Sequence, residues 1–170
     1  MSDKIEIIKA DITKLEVDAI VNAGNISLLG GGGVDGAIHR AAGFELYNEC
    51  KTLGGCKFGE AKITKGYNLP CKWVIHTVGP IYNNGNSNEA EILKNCYNNS
   101  LKLATKNNIK TIAFPCISTG IYGYPFIEAC KIAINTINDF LSDNKIIEKV
   151  VLVCFDEKDY NEYIEILLLF

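Results

Sequence analysis

Four consecutive glycines, Gly30–Gly33, followed by Val34, Asp35 and Gly36, form the segment of the chain best suited to chemistry. Such a run costs backbone entropy and offers no side chain to pack, so it makes sense where a ligand comes close to the main chain. It leads straight into a predicted helix, Val34–Ala42. A helix N-terminus presents free N–H groups and a partial positive charge, which suits a phosphate. The competing reading is a flexible surface loop, but flexibility alone gives no reason to run into Val-Asp-Gly-Ala-Ile-His. A second segment, Ser118-Thr119-Gly120-Ile121-Tyr122-Gly123, follows a predicted strand and precedes Pro125, a helix-start marker. Two phosphate-suited loops at two strand ends suggest a diphosphate gripped between them. Asn22, Ala23, Gly24 and Asn25 at a third strand end supply neutral amides suited to sugar hydroxyls, and Asp11 after the first strand supplies an acceptor. Each alone is an ordinary turn residue; together they outline an elongated nucleotide-sugar site.

Other phosphate chemistries fit less well. Gly31, Gly33 and Gly36 satisfy G-x-G-x-x-G, but a dinucleotide fold wants these glycines immediately after the first strand and an acid ending the second. Here Ala23–Gly30 separate the strand end from Gly31, no acid occupies the expected place, and the Gly-Lys-Ser/Thr ending of a P-loop is absent.

The elements that must position these loops follow from periodicity. Short β-branched runs predict strands at Ile5–Lys9, Ala19–Asn22, Ala61–Lys65, Trp73–Val78, Thr111–Phe114 and Lys149–Phe155. Apolar residues at three-to-four spacing predict helices through Ile92–Ala104 and Phe126–Leu141, with shorter ones at Val34–Ala42, Phe44–Leu53 and Glu157–Leu168. Strands alternating with helices argue a three-layer α/β/α domain with a mixed, mostly parallel central sheet. Val150–Phe155 is apolar at every position, as in a strand covered on both faces. Ligands of such sheets bind outside the carboxyl ends of the strands. Tyr82–Asn88 is the one stretch that reads as a flexible insertion.

Composition bounds the function. With 170 residues, 48% hydrophobic and 22% charged, the chain reads as one domain, residues 1–170, able to build a core without disulfides or metals. The mean hydropathy of +0.08 excludes a disordered chain. The longest apolar runs fall far short of the roughly 20 residues of a spanning helix, so no membrane association is expected. Seventeen basic residues against 20 acidic ones give a charge of −3, with the lysines scattered. That speaks against a nucleic-acid partner, and a bound anion must be held mainly by backbone dipoles. The seven cysteines are odd in number and widely spaced, without a C-x-x-C pair, and only two histidines accompany them. Zinc would want paired ligands at short spacing. The thiols read as buried and free in a reducing compartment. Cys116, just before the second loop, is either buried in this way or redox-sensitive. The first residues, Met-Ser-Asp-Lys, carry no apolar signal segment, so the expected location is cytoplasmic.

Over nearly its whole length the chain resembles a macrodomain of the MacroD type, a class with bacterial members. The resemblance runs through Ala10–Thr13, Val17–Asn25, Leu29–Gly43, Gly59–Ala61, Val74–Pro80 and Ile117–Pro125. Its most specific blocks are Gly-Gly-Gly-Gly-Val-Asp-Gly-Ala-Ile-His and Ile-Ser-Thr-Gly-Ile-Tyr-Gly-Tyr-Pro. The resemblance implies ADP-ribose as ligand. Asp11 then accepts from the adenine amino group with the Ile12 backbone beside it, and Asn25 contacts the distal ribose. Gly32, Gly33 and Val34 form the first diphosphate loop. Ser118, Thr119, Gly120, Ile121 and Tyr122 form the second, with the Tyr122 ring against the distal ribose. Phe155 packs on adenine, or is a plain core residue ending its strand. Asp35, and with it Asn25, is implied in catalysis; as bare chemistry the lesser alternative for Asp35 is a first-turn helix acid favoured by the dipole.

The implied reaction is removal of mono-ADP-ribose from glutamate or aspartate side chains, together with deacetylation of O-acetyl-ADP-ribose; the alternative is a non-catalytic reader of ADP-ribose. Asp35 would orient or deprotonate a water lying over a phosphate. The implied partners are ADP-ribose, O-acetyl-ADP-ribose and mono-ADP-ribosylated proteins, met by a monomer that uses no cofactor. His39, one turn after Asp35, either meets the site or packs its helix, and His76, within an apolar strand, reads as structural. Two departures stand out: Gly24 where the family usually has Ala, which loosens the Asn25 loop, and Phe58 where it commonly has Thr. The Cys and His pattern of zinc-dependent macrodomains is absent, so hydrolysis is expected to survive chelators unchanged. Activity lost on chelation and restored by zinc or magnesium would contradict this.

Overall fold

The computed structural model describes residues 1–170. Six strands form one sheet: β1 (Ile5–Lys9), β2 (Ala19–Ala23), β3 (Ala61–Lys65), β4 (Trp73–Thr77), β5 (Thr111–Phe114) and β6 (Lys149–Cys154). Their order is β1-β6-β5-β2-β4-β3; only β3 runs antiparallel to its neighbour, so the sheet is mixed and mostly parallel. Five helices cover it: α1 (Gly33–Ala42), α2 (Phe44–Thr52), α3 (Glu89–Lys106), α4 (Phe126–Ser142) and α5 (Glu157–Leu167). The predicted elements are all present, with ends shifted by a residue or a few.

Alternation along the strands sorts the core into two layers. Ala19, Val21, Ile75, Phe114 and Leu152 face α3, α4 and α5, where Leu93, Leu101, Ile134, Ile137 and Tyr163 meet them. Ile20, Val74, Ala113, Val151 and Val153 face the smaller layer, packed on Ile38 and Ala42 of α1 and Leu46 and Cys50 of α2. In β6, Val150–Cys154 is buried on both faces, as its unbroken apolar run predicts.

Three expectations need correction. β6 stops at Cys154, and Phe155 is 82% exposed, so it is not a core residue. Its turn comes where the strand leaves the cover of the helices. Pro125 caps α4 rather than starting it, because its carbonyl accepts from Ala129 N at 3.0 Å while its backbone is extended. The polar stretch Tyr82–Asn88 is pinned rather than loose. The buried Glu89 carboxylate accepts from the backbone N–H groups of Asn83 and Gly85, both at 2.8 Å, and of Ser87.

The sheet order creates the crevice. From β2 the chain moves outward to β3 and β4, whereas from β5 it moves the opposite way to β6. The connections therefore diverge between β2 and β5, the switch point at which ligands of open α/β sheets bind. The first glycine loop leaves β2 and the second loop leaves β5, so the two flank this point. Glycine geometry sets the first loop against α1. A Cβ on Gly36 would strike the Gly31 carbonyl oxygen, whereas one on Gly24 would meet only ordinary contacts, the nearest being Leu28 Cδ2 at 3.4 Å. Gly36→Ala is therefore expected to destabilise the fold, since overpacking costs about 1–3 kcal/mol and outweighs the roughly 0.5–1 kcal/mol that Ala gains in a helix. Gly24→Ala is expected to be neutral or to stabilise by about 0.4–1 kcal/mol. Urea denaturation of both variants checks the opposite signs.

Candidate functional site

The first loop is an anion cradle made of main chain. The N–H groups of Gly31 to Asp35 make no hydrogen bond within the protein; the first to bond is that of Gly36, to Gly32 O at 3.2 Å. No side chain caps α1 at Gly32. Gly30 and Gly33 take φ of +98° and +56°, a left-handed backbone that favours glycine. Cβ atoms on Gly32 and Gly33 would meet nothing, so this part of the loop faces open space. Free N–H groups at an uncapped helix start suit a phosphate.

The second loop is built by a different device. Ser118 has φ of +66°, which costs a non-glycine residue roughly 1–2 kcal/mol. Its buried hydroxyl donates to Pro80 O at 2.8 Å, and a Cβ on Gly79 would strike that hydroxyl. Tyr82 N donates to Tyr122 O at 2.8 Å. The segment leaving β4 thus reaches across the end of β2 to the loop leaving β5. Thr119 is tied to Cys116 O by its hydroxyl at 2.9 Å. The N–H groups of Gly120, Ile121 and Tyr122 stay free, and Ile121 is 95% exposed. Of the predicted contacts, the hydroxyls of Ser118 and Thr119 therefore serve the loop itself, and its main chain is what remains for a ligand.

Asp11 and Phe155 stand together at the other end. Lys9 of β1 pairs with Cys154 of β6, so the residues beyond each strand end emerge side by side. Asp11 Oδ1 caps the short turn Ile12–Lys14, accepting from Thr13 N at 3.0 Å and Thr13 Oγ1 at 2.7 Å. The Thr13 hydroxyl bond holds the Asp11 carboxyl below its ordinary range, and Oδ2 is left without a protein partner. Ile12 is buried beneath the turn. From β1 to β2 is three strand spacings, about 14 Å, so the predicted residues line an elongated path along the strand ends.

At the β2 end the amides divide their work. Asn25 Oδ1 accepts from Ser27 Oγ at 2.7 Å, Ser27 N at 3.1 Å and Leu28 N at 3.2 Å, while Nδ2 donates to Gly30 O at 3.0 Å. Its oxygen and one Nδ2 hydrogen shape the loop, and the second Nδ2 hydrogen has no protein partner.

Asp35 is not the exposed first-turn acid that helix dipoles favour. It is only 4% exposed, tucked beneath the glycine loop, rather than lying open above a phosphate. Its Oδ1 accepts from Asn22 Nδ2 at 2.8 Å and lies 3.4 Å from His39 Nε2, so His39 meets the site. Its Oδ2 makes no protein hydrogen bond yet is not sealed from solvent. Burial pushes the carboxyl above the ordinary 3.8, opposed by the Asn22 bond and His39. The stability this group contributes is therefore full below that value and lost as the pH rises through the raised one. At neutral pH its charge is a cost to folding, the mark of a group kept for chemistry.

Asn22, expected from the sequence to offer its amide to sugar hydroxyls, instead turns it inward onto Asp35. It is fully buried on the face shared with Ile20, and its Oδ1 has no partner, a defect worth about 1–3 kcal/mol. The signal was available: strict alternation from Ile20 puts Asn22 on the apolar face, and Val74 does the same for His76 on the adjacent strand. No group of three His, Cys, Asp or Glu side chains is placed to hold a metal ion.

A family model described as Macro domain matches residues 21–133. An ADP-ribose glycohydrolase MACROD2 of Xenopus laevis is 57% identical over 165 residues, covering 96% of this chain and 40% of that protein. An O-acetyl-ADP-ribose deacetylase of Escherichia fergusonii is 50% identical over 167 residues, covering 96% of this chain and 94% of the relative. A solved Oceanobacillus iheyensis macrodomain variant with ADPR superposes with a TM-score of 0.93 at 47% identity, covering 97% of this chain and 92% of that one. The chain belongs to the macro domain family, in its MacroD-type branch.

Proposed function

We propose that this protein is an ADP-ribose-binding hydrolase that frees mono-ADP-ribose from glutamate and aspartate side chains and deacetylates O-acetyl-ADP-ribose. The observation that carries the reading is the buried Asp35 carboxylate, gripped through Oδ1 and open at Oδ2, directly beneath a cradle of free N–H groups. A module that only reads ADP-ribose has no need to bury a charge there. The named activities of the frog and bacterial relatives support the same reaction class.

In this reading adenine lies against Phe155 with its amino group on Asp11 Oδ2 and the Ile12 backbone beside it. The diphosphate takes the N–H groups of Gly32, Gly33 and Val34 on one side and those of Gly120, Ile121 and Tyr122 on the other, while Ser118 and Thr119 hold the second loop in shape. Asn25 and the Tyr122 ring bound the distal ribose. A water on Asp35 Oδ2 is oriented, and its proton accepted, as it attacks the ester. The ester bond breaks, the water oxygen ends on one product, and ADP-ribose and a free carboxylic acid result. Asn25 serves by fixing the loop over the ribose. Mono-ADP-ribosylated proteins are the macromolecular substrates, met by a monomer in the cytoplasm, where the seven thiols stay reduced.

Asp35→Ala separates catalysis from binding. The N–H groups that hold the phosphates survive the change, and removing a negative charge near an anionic ligand does not weaken it. Single-turnover release of ADP-ribose from a glutamate-linked substrate is expected to fall about 10²–10⁴-fold, with ADP-ribose affinity by calorimetry kept. Asp11→Ala is expected to do the reverse, costing about 1.5–3 kcal/mol of affinity. A folded Asp35→Ala protein that turns over at the wild-type rate would remove Asp35 from the mechanism.

A further inference from the structure

Asn22 touches a second buried group that the hydrolysis scheme leaves unused. It sits beside His76 in the register of β2 and β4, and the same Nδ2 that is 2.8 Å from Asp35 Oδ1 is 3.2 Å from His76 Nδ1. On the far side of the ring, His76 Nε2 lies 2.8 Å from Thr64 Oγ1 of β3, with Cys50 Sγ of α2 at 3.8 Å. Asn22, His76 and Thr64 are all wholly buried.

The chemistry of these atoms allows one arrangement of protons. An ionised carboxylate only accepts, so the Asn22 atom facing Asp35 is the NH2 group. That atom also faces His76, so Nδ1 must carry a lone pair and the ring proton must sit on Nε2. There the Thr64 hydroxyl accepts it. Burial keeps the ring neutral, its pKa pulled down to about 3, so the arrangement holds throughout the physiological range. Asn22 Oδ1 has no partner, so its amide plane is fixed only by the two bonds of its nitrogen.

We propose that His76, in the Nε2–H tautomer with Thr64 accepting its proton, is a positioning residue: its Nδ1 lone pair turns the Asn22 amide so that the other hydrogen holds Asp35 Oδ1 and leaves Oδ2 free for water. This rests on the hydrolase reading above. Without the Nδ1 acceptor the amide is free to rotate, Asp35 loses its donor, and its carboxyl rises further because a bond to its charged form is gone. The diphosphate cradle is main chain and is untouched.

Two variants and the wild-type protein test this. His76→Leu fills the space without an acceptor, and His76→Asn restores an acceptor oxygen where Nδ1 stood. His76→Leu is expected to slow single turnover about tenfold or more, part of the general-base effect, while ADP-ribose affinity stays within about twofold. The Asp35 carboxyl, followed by carbon NMR, is expected to titrate at higher pH than in wild type, and His76→Asn is expected to restore both rate and titration. Nitrogen NMR of the wild-type ring is expected to show a neutral Nε2–H tautomer. A folded His76→Leu protein with wild-type rate and titration, a His76→Asn protein no better than His76→Leu, or an Nδ1–H ring in wild type would each overturn the proposal. An inactive wild-type protein would instead strike the hydrolase reading, and the tautomer and carboxyl titration would still decide whether His76 governs Asp35.

Discussion

The hydrogen bond from Asn22 to Asp35 ties the sheet to the glycine loop, and the catalytic part of the site depends on it. A carboxylate that is 4% exposed is costly to ionise, and one donor at 2.8 Å from a buried amide is what holds it. Because that donor comes from β2, Asp35 is fixed relative to the sheet. The row of N–H groups from Gly31 to Asp35 is shaped separately, by the glycine backbone of the loop and by the packing of Ile38 and Ala42 of α1 in the core. Gly31 makes the fit possible, since a Cβ there would lie 3.0 Å from Asp35 Oδ2. A side chain at that position would crowd the one carboxylate oxygen that remains open.

The site resolves the conflict between an acidic protein and an anionic ligand without a cluster of cations. The chain carries a formal charge of −3, and no lysine or arginine is needed in either loop. Partial charges of unpaired N–H groups do the work, and they come from two strand ends on either side of the switch point. Side chains in the loops are used inward. Ser118 is tied to Pro80, Thr119 to Cys116 and Asn25 to its own turn, so that the main chain can face outward in a fixed shape. The left-handed backbone of Ser118 is sustained by the close passage of Gly79.

Much of this was legible in the sequence, for particular reasons. Strands with β-branched runs and helices with three-to-four spacing announced themselves, and the glycine loop declared a close backbone approach. What stayed hidden depends on contacts between distant segments. Nothing near Asp35 in sequence says that the carboxylate folds under its own loop onto Asn22. The end of β6 was overrun because Phe155 is apolar, and only the sheet shows that the helices stop covering it there. Tyr82–Asn88 looked loose because its turn formers are visible, whereas the buried Glu89 that gathers their N–H groups reads locally as one more acid. Asn22 and His76 obeyed the period-two rule of their strands, and their shared face was readable once the two strands were known to be neighbours.

The central claim is that a buried, ionised Asp35 held by Asn22 orients the attacking water. The pH dependence of single-turnover hydrolysis tests it most directly. The account predicts an acid limb, where rate is lost as Asp35 gains a proton, with its midpoint above the ordinary carboxyl value of 3.8, and its disappearance in Asp35→Ala. A wild-type rate that stays flat through that range, or an identical limb in the variant, would contradict it.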